Sequence, residues 1–65
     1  MVGKIARVVK DKGFGFIEAE GYEDIFFHMS SIRHGDFKLL MVGDKVDFDC
    51  NETNKGLRAE NVRVL

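Results

Sequence analysis

The 65-residue chain has no proline and no tryptophan, one cysteine and two histidines. A single thiol, Cys50, cannot form an intrachain disulfide, and so few Cys and His residues exclude a zinc-finger pattern. Long apolar runs are missing as well. The longest, Leu39 to Val42, is far short of the roughly 20 residues that a membrane-spanning helix requires. The opening Met1-Val2-Gly3-Lys4 has no apolar signal core. The expected compartment is therefore the cytoplasm, with no membrane partner and with Cys50 reduced. Neither sign of charge dominates. Ten Lys and Arg face eleven Asp and Glu, for a net charge of −1, so no strongly basic balance marks a polyanion partner. Length is also scarce: the chain suffices for one small domain, residues 1–65, whose core must recruit nearly every apolar residue.

What remains is 45% hydrophobic and 32% charged, the profile of a folded domain rather than a disordered chain. Seven glycines punctuate it at positions 3, 13, 15, 21, 35, 43 and 56. Short alternating apolar runs lie between them, and no segment keeps a 3.6-residue period long enough for a helix. The pattern predicts an all-β fold of five short strands, over 4–10, 13–19, 25–29, 45–51 and 57–64. In the first, Ile5, Val8 and Val9 alternate imperfectly, which predicts a bulge. The connection 30–44 is the longest, and Ser30-Ser31-Ile32 has the chemistry to open a single helical turn there. Closure into a barrel would remove exposed strand edges.

The strand period of two assigns faces. Phe14 and Phe16 share one face of the second strand, and Gly15 and Ile17 share the other. In the third strand, Ile25 and Phe27 oppose Phe26 and His28. Gly15 with Ile17 suits a crowded interior, and Ile25 with Phe27 matches it. Phe14, Phe16, Phe26 and His28 would then point outward together, and an exposed patch of phenylalanines is costly unless it binds something. Periodicity alone leaves the opposite parity open, with the phenylalanines as core and Ile17, Ile25 and Phe27 outside. His28 argues against that parity, because it would bury an imidazole among rings.

Charge is segregated along the chain. Residues 1–17 carry +3, residues 18–52 carry −6 and residues 53–65 carry +2. In a barrel whose first two strands are neighbours, Lys10 and Lys12 approach the aromatic patch. Rings interleaved with cations suit single-stranded nucleic acid, because bases stack on the rings while Lys and Arg hold the backbone. Duplex recognition would ask for a recognition helix or a broad positive surface, and neither is visible.

Lys12-Gly13-Phe14-Gly15-Phe16-Ile17 resembles an RNP1 motif, and Asp24-Ile25-Phe26-Phe27-His28-Met29 resembles the RNP2 motif of cold-shock domains. In RNA-recognition-motif domains RNP2 comes first and helices separate the strands. Here RNP1 comes first and only six residues intervene, so the order resembles the cold-shock type. The likeness extends over Gly3-Lys4-Ile5, Phe37-Lys38, Val42-Gly43-Asp44-Lys45-Val46 and Ala59-Glu60-Asn61-Val62, nearly the whole chain. It implies a five-stranded antiparallel OB-fold barrel that binds single-stranded RNA or DNA, as an RNA chaperone or a regulator of transcription or translation. It assigns stacking to Phe14, Phe16, Phe26 and His28, a cation to Lys12, a loop aromatic that extends the platform to Phe37 and a basic loop residue to Lys55. Apart from the resemblance, Arg58 is expected to assist Lys55 at the backbone.

The chain also departs from the family. Ala6-Arg7-Val8 stands where Lys-Trp-Phe is usual, Met29 where an aromatic is usual, and Gly56-Leu57 where Gly-Pro is common. Arg7 can stack its guanidinium plane on a base, and Met29 can lie against a ring. Affinity below that of Trp-bearing members is expected, by roughly 1–3 kcal/mol per lost stack.

Two rival functions remain at this level. The patch could dock a protein, since OB barrels serve many functions, and salt dependence would separate the two readings. A catalytic reading of Asp24, His28, Ser30 and Ser31 fails, because neighbouring strand residues face opposite sides and no nucleophile motif is present. Alternation with Val46 and Phe48 makes Cys50 a core residue. No enzyme, cofactor, metal or small-molecule substrate is expected. A monomer is expected, with a strand-swapped dimer as the alternative.

Overall fold

The glycine-bounded runs become the strands of a barrel. The computed structural model describes residues 1–65. Its strands are β1 (Val2–Val9), β2 (Phe14–Ala19), β3 (Tyr22–His28), β4 (Ile32–His34), β5 (Lys45–Thr53) and β6 (Gly56–Val64). They follow the order β3-β2-β1-β5-β6-β4, and a further pairing of β3 with β6 closes five of them into a barrel. This is the all-β, OB-type architecture expected from the sequence, with one extra strand on β6.

Two expectations need correction. The pairings β1–β2, β1–β5, β2–β3 and β5–β6 are antiparallel. However, β3–β6 and β4–β6 are parallel, so the barrel is not antiparallel throughout. The strand β4 was not foreseen. Ile32-Arg33-His34 is too short to show alternation, and it is strand only because β6 supplies its ladder. The single helical turn in the long connection is a 3₁₀ turn at Met29–Ser31, one residue earlier than expected, and a second follows at Phe37–Leu39.

The predicted bulge is present. Ile5 pairs with Ile17, but Arg7 pairs with Phe16, so Ala6 is the extra residue. A bulge reverses the facing of everything after it. Gly3 and Ile5 point inward before it, and Val8 points inward after it. Arg7, which strict alternation from Ile5 would aim inside, is exposed instead.

The core settles the parity of β2 and β3. Ile17, Ile25 and Phe27 are each 0% exposed, and they pack with Ile5, Leu40, Val46, Phe48, Ala59 and Val62. Gly15 makes room for the Phe27 ring. A Cβ on Gly15 would lie 2.5 Å from the Arg7 carbonyl and 2.8 Å from the ring of Phe27. Cys50 is partly buried against the core.

Candidate nucleic-acid interface

Register builds the outer face in rows. Phe16 pairs with Arg7 on β1 and with Phe26 on β3, and Phe26 pairs with Arg58 on β6. One row therefore reads Arg7–Phe16–Phe26–Arg58 across four strands, about 14 Å at the usual strand spacing. The next row reads Val9–Phe14–His28. The inward rows alternate with these, Val8–Gly15–Phe27 and Ile5–Ile17–Ile25.

Three phenylalanines form one cluster. Ring centroids are 5.9 Å apart for Phe14 and Phe16, 5.6 Å for Phe14 and Phe26, and 6.0 Å for Phe16 and Phe26. The first and last pairs meet edge to face, which the ring quadrupoles favour. All three rings are half-buried. They are fixed by their neighbours yet still present surface.

Local contacts set the rim. The Ser30 amide donates to His28 Nδ1 at 3.1 Å, and Ser30 Oγ lies 2.9 Å from the same nitrogen. With Nδ1 accepting, the neutral ring carries its proton on Nε2, and its orientation is fixed beside Phe14. Met29 is exposed, and its amide donates to the Gly13 carbonyl at 2.8 Å. Its side chain lies over Gly13, where an added Cβ would meet Met29 Sδ at 2.7 Å. On the far side, Thr53 Oγ1 donates to the Gly56 carbonyl at 2.8 Å and accepts from the Lys55 amide at 3.2 Å. These bonds order the β5–β6 turn that carries Lys55.

The cations divide into two groups. Arg7, Lys12 and Lys55 are exposed, and no ion pair engages them. The Arg58 guanidinium lies 5.4 Å from the centre of the Phe26 ring, a cation–π contact. Lys10 is used differently. Its ammonium donates to the Phe37 and Lys38 carbonyls and lies 5.9 Å from the Phe37 ring centre. It ties the end of β1 to the second 3₁₀ turn. Phe37 itself packs edge-on against core Phe27, with centroids 6.2 Å apart. It does not join the three-ring cluster, so the loop aromatic borders the platform rather than extending it.

The sequence leaves Asp24, next to RNP2, open between accepting a hydrogen bond from a base edge and simply ending the turn. Asp24 lines a cleft of about 460 Å³ together with Phe16, Phe26, Lys55 and Arg58. It has a left-handed backbone, with φ of 54°, at a register shift in β3. Bulges commonly re-aim a side chain in this way.

The family model described as the 'Cold-shock' DNA-binding domain matches residues 1–65. The chain is 48% identical over 65 residues to the cold shock-like protein CspB of Bacillus cereus, covering 100% of both. It is 48% identical over 64 residues to a cold shock-like protein of Aquifex aeolicus, covering 97% of this chain and 91% of that one. It is 43% identical over 63 residues to the cold shock protein CspD of Bacillus subtilis, covering 97% of this chain and 96% of the relative. A five-stranded barrel bearing an aromatic and basic outer face, matched end to end by this family model, belongs to the cold-shock domain family.

Proposed function

We infer that this protein binds single-stranded RNA or DNA on the outer face of β1, β2 and β3. Bases stack on Phe14, Phe16 and Phe26, with His28 and Met29 at one edge. Arg7, Lys12, Lys55 and Arg58 hold the backbone. Lys10 and Phe37 contribute by fixing the rim. A protein that binds this way keeps transcripts unpaired, which is the work of an RNA chaperone or a regulator of transcription or translation.

The observation that carries the reading is the half-buried three-ring cluster flanked by two arginines in one cross-strand row. Base stacking on such rings contributes about 1–3 kcal/mol each. The three rings could together hold a short oligomer against the ordering cost of a flexible strand.

The test is a ¹H–¹⁵N NMR titration with oligothymidine and oligouridine at two salt concentrations. The amides of Phe14, Phe16, Phe26 and His28 should shift together, and the effect should weaken as salt rises, because phosphate contacts release counterions. If those amides stay still at millimolar oligonucleotide, the platform is not a nucleic-acid site. The same rings would then have to serve a protein interface.

A further inference from the structure

The cleft beside the rings has a chemistry that simple stacking does not use. Its lining combines apolar Phe16, Phe26 and Leu57 with charged Asp24, Lys55 and Arg58. A carboxylate and a guanidinium thus share one recess. Asp24 lies two residues from Phe26 along β3, and Arg58 is the register partner of Phe26 on β6.

Both groups have unused capacity. Arg58 Nε is buried and ion-paired with Glu60 Oε1 at 3.5 Å without a hydrogen bond, and no hydrogen bond takes the terminal NH groups of its partly exposed guanidinium. The guanidinium is held over Phe26, with its carbon 5.4 Å from the ring centre, and its terminal NH groups can serve a ligand as a planar fork of donors. Asp24 is exposed and forms no ion pair. The two flanking segments are held in place, β3 by its bulge and the β5–β6 turn by Thr53.

We propose that this cleft takes a guanine base of the single strand, read by Arg58 on one edge and Asp24 on another. Guanine alone among the bases presents two adjacent acceptors, O6 and N7, on one edge and two adjacent donors, N1–H and N2–H₂, on another. Arginine meets the first pair as a bidentate donor, and a carboxylate meets the second as a bidentate acceptor. Adenine offers Arg58 a donor where guanine offers O6. Thymine and uracil have no paired donors for Asp24. Unstacked bases expose these edges, which makes such reading possible in a single strand. The proposal rests on the nucleic-acid function inferred above and adds to it the identity of one base.

The experiment is fluorescence anisotropy with labelled heptamers: oligothymidine, and the same oligomer with guanine placed at each position in turn. A guanine at one position should tighten binding about ten-fold or more, as a bidentate pair discriminates. Adenine or cytosine at that position should not. Inosine, which lacks the 2-amino group, and 7-deazaguanine, which lacks N7, should each lose most of the gain. Asp24→Asn, which tolerates the left-handed backbone, and Arg58→Lys should bring the ratio of the two dissociation constants close to one. That ratio is read independently of any change in absolute affinity. A ribonucleotide series run alongside shows which backbone carries the preferred guanine. Equal binding of all heptamers overturns the proposal while leaving the stacking platform intact, as does a guanine preference that survives both variants. If no heptamer binds at all, the nucleic-acid function itself fails and the proposal falls with it.

Discussion

Phe16 and Ile17 are neighbours in one strand whose side chains do different work, and exchanging each in turn separates stability from binding. Ile17 is 0% exposed and sits between Ile5 and Ile25 in the register. Ile17→Ala removes buried carbon that the close-packed core cannot refill, at a cost of about 2–5 kcal/mol. A domain of this length is stable by only roughly 3–10 kcal/mol. At about 4–8 °C per kcal/mol, its melting temperature should fall by about 8 °C or more, and the fold can be lost altogether. Phe16→Leu keeps an apolar side chain on the outer face and sacrifices the edge contacts to Phe14 and Phe26. That change should cost about 1 kcal/mol. It also removes a flat stacking surface, so oligothymidine affinity should fall by about 1–3 kcal/mol. Circular-dichroism melting and anisotropy titration on both variants give the result. The pattern expected is crossed: Ile17→Ala loses stability and, while folded, binds as before, whereas Phe16→Leu stays folded and binds poorly. A larger loss of stability for Phe16→Leu than for Ile17→Ala would refute the assignment of faces. Unchanged binding by Phe16→Leu would refute the stacking role.

Three further outcomes follow from particular contacts. Gly15→Ala should destabilise by about 1–3 kcal/mol, because its Cβ would press on the Arg7 carbonyl and on buried Phe27; a melting temperature at or above that of the parent would show that the two strands can separate freely. Lys12→Gln should flatten the dependence of log affinity on log salt by about 0.7, whereas Lys10→Gln should leave the slope alone and loosen the Phe37–Leu39 turn, seen as lost amide protection there; equal slopes for both variants would contradict the division between a free and a tied ammonium. Arg7→Trp should strengthen binding to oligothymidine by up to about ten-fold, since a guanidinium is exchanged for a broader stacking surface next to Phe16; weaker binding by that variant would mean that Arg7 acts mainly on phosphate.

Much of this molecule is determined by local sequence. Period-two alternation bounded by glycine marks five of the six strands, and in-phase Phe14, Phe16, Phe26 and His28 mark the outer face. Both depend on neighbours two residues apart, which any reader of the chain can see. The tertiary structure decided what depends on distant partners. Parity was settled by packing, because only closure of the barrel shows that Ile17, Ile25 and Phe27 fill the space beside Gly15. The three residues of β4 are strand because β6 lies alongside. Arg58 reaches Phe26, and Asp24 shares its cleft, because β6 returns from the far end of the chain to close on β3. The fates of Lys10 and Phe37 belong here too, since both are fixed by elements more than twenty residues away. The chain's local pattern therefore determines which residues alternate, while long-range pairing determines which groups meet. The recognition chemistry of the cleft arises only from the second.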